Sequence, residues 1–217
     1  MKKKHKRIYN IETLATHSGL SPGDNYGIVN PPVYHVSTIL SPTMKEYKDK
    51  DNKKYTYGRN GTPTSDSLEH AIATIYKAEG AFLASSGMGA ITNSLMAVLK
   101  SNDHALFPDC VYGSVRRFVL EEFPRLNFQF DFYNQRDPND IIQKIQKNTK
   151  LIYIESPGTY TFEIIDIKKV VKIAKNNKIL TIMDNTWGTA LYFNAIKYGV
   201  DIVCEAITKY IGGHSDI

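Results

Sequence analysis

The chain has little cysteine, no long apolar run and no charge excess beyond its first residues. Cys110 and Cys204 are the two cysteines among 217 residues. They lie far apart and in no Cys-x-x-Cys pair, which disfavours a disulfide framework and favours reduced, mostly buried thiols. No stretch approaches the ~18 apolar residues of a membrane span, and residues 8–20 are too polar for a secretion signal. These absences predict a soluble cytoplasmic protein with no membrane partner.

The formal net charge of +5 comes from the first seven residues. Lys2, Lys3, Lys4, Lys6 and Arg7 precede the first acidic residue, and the remaining 210 residues carry 22 basic and 22 acidic side chains. A neutral body lacks the electrostatic footprint of a nucleic-acid-binding domain. The basic tip is interpreted as a solvated terminus, with an RNA-binding arm as the alternative.

The organisation of the chain changes near residue 60. Proline and glycine interrupt residues 1–60 repeatedly, which predicts an extended N-terminal arm. Beyond it, helical patterns lie at residues 65–76, 91–98, 141–145 and 167–174. They alternate with short apolar runs at residues 81–84, 105–107, 128–133, 151–154, 179–183 and 202–204. Such alternation predicts βα units, and hence an α/β domain with a mainly parallel sheet over residues 61–217.

Ligands of parallel sheets bind beyond the carboxyl ends of the strands, where three features stand. Residues 85–88 (Ser-Ser-Gly-Met) turn into a helix, whose N-terminus offers backbone N–H groups to a phosphate. Asp184 ends the fifth run, where a buried carboxylate needs a cationic or hydrogen-bonding partner. Lys209 follows the sixth run, where burial would favour the neutral, nucleophilic amine. Each feature alone has a structural alternative: a glycine turn, a helix cap and an exposed loop lysine.

The three features occur in an order that suits one cofactor. A phosphate cradle, a carboxylate and a lysine on one parallel sheet are the anchors of pyridoxal phosphate. The chain contains neither a Gly-Lys-Ser/Thr phosphate loop nor a Gly-x-Gly-x-x-Gly fingerprint, which argues against nucleotide and dinucleotide binding.

Six motifs make the resemblance specific. They are Tyr-Gly-Arg-Asn-Gly-Thr-Pro-Thr at 57–64, Ser-Ser-Gly-Met at 85–88, Asp-Cys-Val-Tyr at 109–112, Glu-Ser-Pro-Gly-Thr at 155–159, Asp-Asn-Thr-Trp at 184–187 and Thr-Lys-Tyr-Ile-Gly-Gly-His-Ser-Asp at 208–216. With these motifs in family order, the chain resembles the Cys/Met-metabolism pyridoxal-phosphate enzymes over essentially its whole length. Within that family, residues 155–159 and 206–210 are more similar to the bacterial β-lyases than to the γ-lyases and γ-synthases.

The resemblance implies pyridoxal 5'-phosphate as the cofactor, no metal ligands, and specific catalytic roles. Lys209 matches the family lysine that binds the cofactor covalently and serves as general base. Asp184 matches the carboxylate that pairs with the pyridine nitrogen and keeps it protonated. Tyr112 matches the aromatic that stacks on the cofactor ring, from which it could help to protonate a departing thiolate; its alternative is an ordinary helix-start tyrosine.

Further positions match residues around the cofactor phosphate. Gly87 and Met88 match the backbone amides that bind it, with the Thr208 hydroxyl beside them. Tyr57 and Arg59 match a pair that reaches the phosphate of a neighbouring subunit, although Arg59 alone would be interpreted as a surface arginine.

The resemblance also implies a fold, an assembly and an activity. The fold is the large domain of the aspartate aminotransferase-like pyridoxal-phosphate enzymes, and the intact enzyme is a homotetramer, a dimer of dimers. The expected reaction is β-elimination from cystathionine, a small amino-acid substrate, to homocysteine, pyruvate and ammonia in methionine biosynthesis. The alternatives are γ-elimination or γ-replacement by the same family, and a cofactor-binding fragment with impaired catalysis.

The chain departs from the family pattern in several places. Ala206 stands where many members have serine, Gly158-Thr159 stand where γ-type relatives have asparagine, and Glu205 is an additional charge. Family members continue beyond the position of Ile217 with a further strand and a C-terminal domain that supplies the arginine for the substrate carboxylate. We therefore expect a large domain that is incomplete at its C-terminus and has little activity alone.

Overall fold

The computed structural model describes residues 9–216 and divides them into two compact units between Leu83 and Ala84. The predicted boundary between residues 60 and 61 falls inside the first unit. The basic tip, which is interpreted as a solvated terminus or alternatively as an RNA-binding arm, lies outside the described residues. In the described part of the chain, no helix is long and apolar enough to cross a membrane.

In residues 9–83, the described part of the first unit, there are three α-helices: α1 (Ile11–His17), α2 (Met44–Lys48) and α3 (Pro63–Tyr76). The structure confirms the helix predicted at 65–76 but departs from the predicted extended arm at α1 and α2. Both short helices are capped by side chains, since Asn10 Oδ1 accepts from the Thr13 N–H and Thr43 Oγ1 accepts from the Glu46 N–H. In a sequence, a single capping residue indicates a helix less clearly than a repeat of apolar residues does.

α3 belongs with the segment before it rather than with the sheet. The Ser67 hydroxyl of α3 donates to the Gly19 carbonyl at 2.7 Å. The apolar run that follows α3, residues 81–84, was predicted to be a strand, and that prediction is wrong. Within the described range these residues pair with no strand, and the Phe82 side chain is 92% exposed.

The second unit is built on a five-stranded, all-parallel sheet in the order β2-β1-β3-β4-β5. The strands are β1 (His104–Pro108), β2 (Gln129–Tyr133), β3 (Thr149–Glu155), β4 (Leu180–Asp184) and β5 (Ile202–Cys204). The helices are α4 (Gly87–Val98), α5 (Gly113–Glu122), α6 (Pro138–Lys144), α7 (Ile167–Asn176) and α8 (Thr189–Tyr192). The structure confirms the other five predicted strands, the remaining three predicted helices and the mainly parallel sheet.

Helices cover both faces of this sheet, which explains why its strands read as continuous apolar runs. One face carries Leu151, Tyr153 and Ile182 and packs against α4 and α5. The opposite face carries Ile152, Ile154 and Met183 and packs against α6 and α7. Because neighbouring residues of a strand point to opposite faces, the side chains of Glu155 and Asp184 point to the face that carries α4 and α5.

Candidate active site

The candidate site lies beyond the carboxyl ends of β3, β4 and β5. Glu155 of β3 is in register with Asp184 of β4, and Asp184 is in register with Cys204 of β5. The two carboxylates therefore lie on adjacent strands, at the same level and on the same face. This is the edge at which ligands of open parallel sheets bind.

Asp184 is a carboxylate in a poorly solvated place. Its Oδ1 accepts from the Thr186 N–H at 3.0 Å. Burial raises the pKa of the Asp184 carboxyl, whereas the hydrogen bonds of Thr186 and the positive charge of Lys209 lower it. Thr186 also ties Asp184 to the segment after β5, because its hydroxyl oxygen accepts from the Ala206 N–H at 2.9 Å. An incompletely compensated carboxylate of this kind is suited to a cationic partner.

The N-terminus of α4 presents backbone donors to the same region. Ser86 caps the helix, and its Oγ accepts from the Gly89 N–H at 2.9 Å. The N–H groups of Gly87 and Met88 have no hydrogen-bond partner among residues 9–216. These two amides and the helix dipole suit the oxygens of a phosphate.

Close packing against the segment after β5 explains the glycine at position 87. A Cβ atom on Gly87 would lie 2.6 Å from the Cβ and 3.1 Å from the Cα of Ala206. The backbone of α4 thus approaches the segment that carries Lys209 as closely as a residue without a side chain allows. Ala206, where many family members have serine, fills the space beside this glycine.

Gly87→Ala is expected to lower the free energy of unfolding by about 1–3 kcal/mol, because one of the two segments must move. Urea unfolding monitored by circular dichroism measures the change. Gly113 is the matched control: it is likewise the first residue of a helix, α5, but a Cβ there would have no heavy atom within 4 Å. Gly113→Ala should change stability by less than about 1 kcal/mol. Equal effects at the two positions would contradict this account of Gly87.

Tyr112 precedes α5, and its side chain is 44% exposed. Its backbone N–H donates to Glu155 Oε2 at 2.8 Å. Glu155 is only 4% exposed, and its Oε1 accepts a hydrogen bond from the Thr159 hydroxyl. Burial raises the pKa of the Glu155 carboxyl to about 7, against the opposing effect of these hydrogen bonds.

Lys209 lies in a turn beyond β5 and is exposed, as in the alternative of an exposed loop lysine. The turn is closed by the Lys209 N–H, which donates to the Ala206 carbonyl at 3.0 Å, and by the Gly213 N–H, which donates to the Lys209 carbonyl at 2.9 Å. These bonds place Lys209 past the end of the strand rather than inside the sheet. Its charge nevertheless acts on Asp184.

The structure thus gathers most of the predicted site residues at one edge of the sheet. They are Gly87, Met88, Tyr112, Asp184, Thr208 and Lys209. Tyr57 and Arg59 belong to the first unit, where Tyr57 forms an isolated antiparallel bridge with Thr38 and Arg59 lies in the turn that follows. Their contact with a neighbouring subunit's phosphate stays a prediction.

Glu155 lies in a sequence motif but had no predicted role. The hydrogen bonds of Thr159 to Glu155 and of Thr186 to Asp184 were not predicted either. A signal for Glu155 was present, because it ends an apolar run just as Asp184 does. The bonds that give it a role could not be derived from that signal. They join Glu155 to a residue 43 positions away.

A cavity of about 400 Å³ opens elsewhere, on the α7 side of the sheet. Its lining is mainly apolar and includes Ile165, Ile167, Met183 and Phe193. Because Met183 points away from the face that carries Asp184, this cavity lies on the opposite face of the sheet, although Ser156 and Trp187 from the loops at the carboxyl edge also line it.

The family model described as "Cys/Met metabolism PLP-dependent enzyme" matches residues 12–217. The chain belongs to that family. It is 37% identical over 212 residues to cystathionine beta-lyase MetC from Bacillus subtilis, covering 98% of this chain and 53% of that protein. It is 41% identical over 220 residues to an L-alanine/L-glutamate racemase from Wolbachia pipientis, and the match covers 95% of this chain and 54% of that protein. The chain spans about half the length of these curated relatives.

Solved structures of the family agree with the fold. A crystal structure of metB from Corynebacterium glutamicum superposes with a TM-score of 0.90 at 30% identity, covering 97% of this chain and 54% of that chain. A structure from Campylobacter jejuni that carries N'-pyridoxyl-lysine-5'-monophosphate gives a TM-score of 0.89 at 26% identity, and the match covers 96% of this chain and 52% of that chain. As a member of this family, the chain is PLP-dependent.

The residues at the sheet edge fit pyridoxal phosphate on their own chemistry. The unpartnered amides of Gly87 and Met88 suit the phosphate, and the partly desolvated carboxylate of Asp184 suits a protonated pyridine nitrogen. The exposed amine of Lys209 is accessible to an aldehyde. When bound, pyridoxal phosphate supplies an electron sink for the electron pair left at a substrate Cα.

Proposed function

We propose that the chain carries the cofactor site of a cystathionine β-lyase, which converts cystathionine and water to homocysteine, pyruvate and ammonia. The observation that carries the proposal is the convergence of the α4 amides, Asp184 and Lys209 at one edge of the parallel sheet. A place in methionine biosynthesis, a cytoplasmic location and a homotetramer are parts of the same proposal.

Each predicted residue has a place in this proposal. Gly87 and Met88 would donate backbone N–H groups to the phosphate, and the Thr208 hydroxyl would add a donor. Asp184 would keep the pyridine nitrogen protonated, and Tyr112 would stack on the ring. Tyr57 and Arg59 serve the phosphate of a neighbouring subunit, as a guanidinium can by paired hydrogen bonds.

Lys209 performs the proton transfers. When pyridoxal phosphate is bound, Lys209 Nζ would accept the substrate Cα proton as a general base. The Cβ–S bond would then break, and its electron pair would leave with the sulfur. Lys209 would return a proton to that thiolate, and the Tyr112 hydroxyl would be a second donor. Hydrolysis of the remaining three-carbon fragment consumes the water and releases pyruvate and ammonia.

The segment after β3 favours β-elimination over γ-elimination. γ-Type relatives carry asparagine where this chain has Gly158-Thr159. The Thr159 hydroxyl donates to Glu155, and a Cβ on Gly158 would lie 2.4 Å from Cys110 Sγ. The segment therefore places no amide group near the ring, and it is packed too tightly at Gly158 to accept one.

Amino-acid racemisation is a second candidate function, favoured by the 41% identity to the Wolbachia pipientis racemase. The two reactions share removal of the Cα proton. They differ afterwards, because racemisation returns a proton to the opposite face of Cα whereas elimination expels a Cβ substituent.

The products distinguish these functions. With pyridoxal phosphate and cystathionine, we expect homocysteine and pyruvate, quantified by mass spectrometry. Cysteine and 2-oxobutyrate would instead establish γ-elimination, and D-alanine formed from L-alanine without pyruvate would establish racemisation. Because the chain spans about half of its relatives, the assay is run on the chain alone and with the C-terminal half of the Bacillus subtilis β-lyase supplied in trans. Loss of the β-lyase products in both formats would refute the proposal.

A further inference from the structure

Glu155 joins three segments at the carboxyl edge of the sheet. It ends β3, it accepts from the Tyr112 N–H at the start of α5, and it accepts from the Thr159 hydroxyl in the loop after β3. The Thr159 N–H in turn donates to the Cys110 carbonyl at 3.1 Å, which returns the network to the segment before Tyr112. The network is closed, and the carboxylate at its centre is buried.

The position of Tyr112 depends on this network. Tyr112 is the cap residue of α5, yet its own side chain makes no capping hydrogen bond. Its carbonyl accepts from the Arg116 N–H of the helix at 2.9 Å, and its N–H is held by Glu155. The backbone of Tyr112 is therefore fixed on both sides, while the residue as a whole is 44% exposed.

We propose that Glu155 is a positioning residue of the cofactor site, which holds the Tyr112 backbone amide and thereby sets the angle at which the Tyr112 ring faces the cofactor. The proposal rests on the function proposed above for Tyr112. In this role Glu155 bonds the Tyr112 amide rather than the cofactor. It acts through Tyr112, and Thr159 holds the carboxylate in the orientation that reaches the amide.

The ionisation of Glu155 makes this role dependent on pH. Burial raises the pKa of Glu155 to about 7, the Thr159 and Tyr112 hydrogen bonds lower it, and the neighbouring Asp184 carboxylate raises it. Three other titratable groups lie near this network. Burial raises the pKa of the Cys110 thiol to about 11, and it raises the pKa values of the Tyr133 and Tyr153 hydroxyls well above their usual value. These three stay protonated near neutral pH, where Glu155 gains its charge and binds the amide more strongly.

The Tyr112 amide itself reports the interaction in the chain without cofactor or substrate. In protein labelled with ¹⁵N-tyrosine, the Tyr112 cross-peak is identified by its absence in Tyr112→Phe. We expect its amide shift to titrate with a midpoint near pH 7. Glu155→Gln should abolish the titration, Asp184→Asn should move the midpoint to lower pH, and Thr159→Val should move it to higher pH. A Tyr112 amide that does not titrate in the unmodified chain would overturn the proposal.

The affinity for pyridoxal phosphate measures how the loss of this hydrogen bond affects the Tyr112 ring. Glu155→Gln is expected to weaken the affinity for pyridoxal phosphate about tenfold and to reduce the visible circular dichroism of the bound cofactor, because a charge-assisted hydrogen bond is lost. Glu121→Gln, which neutralises an exposed glutamate of α5, is the matched control and should change neither.

A double-mutant cycle tests whether Glu155 acts through Tyr112. If it does, Glu155→Gln should cause no further loss of cofactor affinity in a Tyr112→Ala background. Additive losses would show that Glu155 acts elsewhere and would overturn the proposal. Failure of β-lyase activity alone would leave the amide titration and the cycle unchanged, so the two proposals fail separately.

Discussion

Lys209→Ala is expected to remove covalent attachment of pyridoxal phosphate and to lower turnover by at least about 1,000-fold. Under the proposed function, the change removes both the amine that bonds to the cofactor and the group that moves the Cα proton. Because the side chain is exposed and lies in a turn closed by backbone hydrogen bonds, the fold should be unaffected. Borohydride reduction followed by peptide mass spectrometry measures attachment, and pyruvate release from cystathionine, with the C-terminal half of the Bacillus subtilis β-lyase supplied in trans, measures turnover.

Lys172→Ala is the matched control for this prediction. Lys172 is also an exposed lysine of the second unit, but it lies on α7, which packs against the opposite face of the sheet. The control variant should keep both the reducible cofactor and the turnover of the unmodified chain. Recovery of the reduced cofactor on a different lysine in Lys209→Ala would show that the site has been assigned to the wrong residue.

Phe123→Ala is expected to lower the free energy of unfolding by about 3–5 kcal/mol, the largest expected effect on stability. Phe123 directly follows α5 and is fully buried. Its ring contacts those of four other phenylalanines at centroid distances of 5.2–6.0 Å, namely Phe107, Phe118, Phe128 and Phe130. Truncation would leave a cavity lined by rigid rings, which cannot collapse to fill it.

The control for Phe123 lies on the helix just before it. Leu120 of α5 is 50% exposed, so Leu120→Ala should cost less than about 1 kcal/mol. Urea unfolding of both variants, monitored by circular dichroism, gives the comparison. If Phe123→Ala were no more destabilising than Leu120→Ala, the aromatic cluster would not be the packing centre that the structure indicates.

The positions of the core elements could be predicted from the sequence because burial leaves a local signal. The five strands read as apolar runs, and α7 repeats apolar residues at helical spacing. Parallel strands direct their carboxyl ends to one edge of the sheet. Asp184 and Lys209 follow two such strands, so they could be predicted to lie at the same edge before their contacts were known. Motifs at those strand ends were sufficient to indicate the family and its cofactor.

Local signals failed where an outcome depended on a partner distant in the chain. Residues 81–84 are apolar but have no neighbouring strand in the described part of the chain, so they do not form one. Lys209 follows a buried strand, yet the turn that begins at Ala206 exposes it. An apolar pattern measures a preference for burial, whereas strand pairing and the exposure of a side chain depend on which segments lie beside it.

The sequence by itself determined the α/β architecture of the second unit, the order of its strands along the chain and the residues at their carboxyl ends. Only the tertiary structure decided how those residues support one another. The bond from Glu155 to the Tyr112 amide and the contact of Gly87 with Ala206 span 43 and 119 positions. Such contacts leave no periodicity in the chain, because hydrogen bonds and close packing depend on distances that arise only when the sheet brings separate strands together.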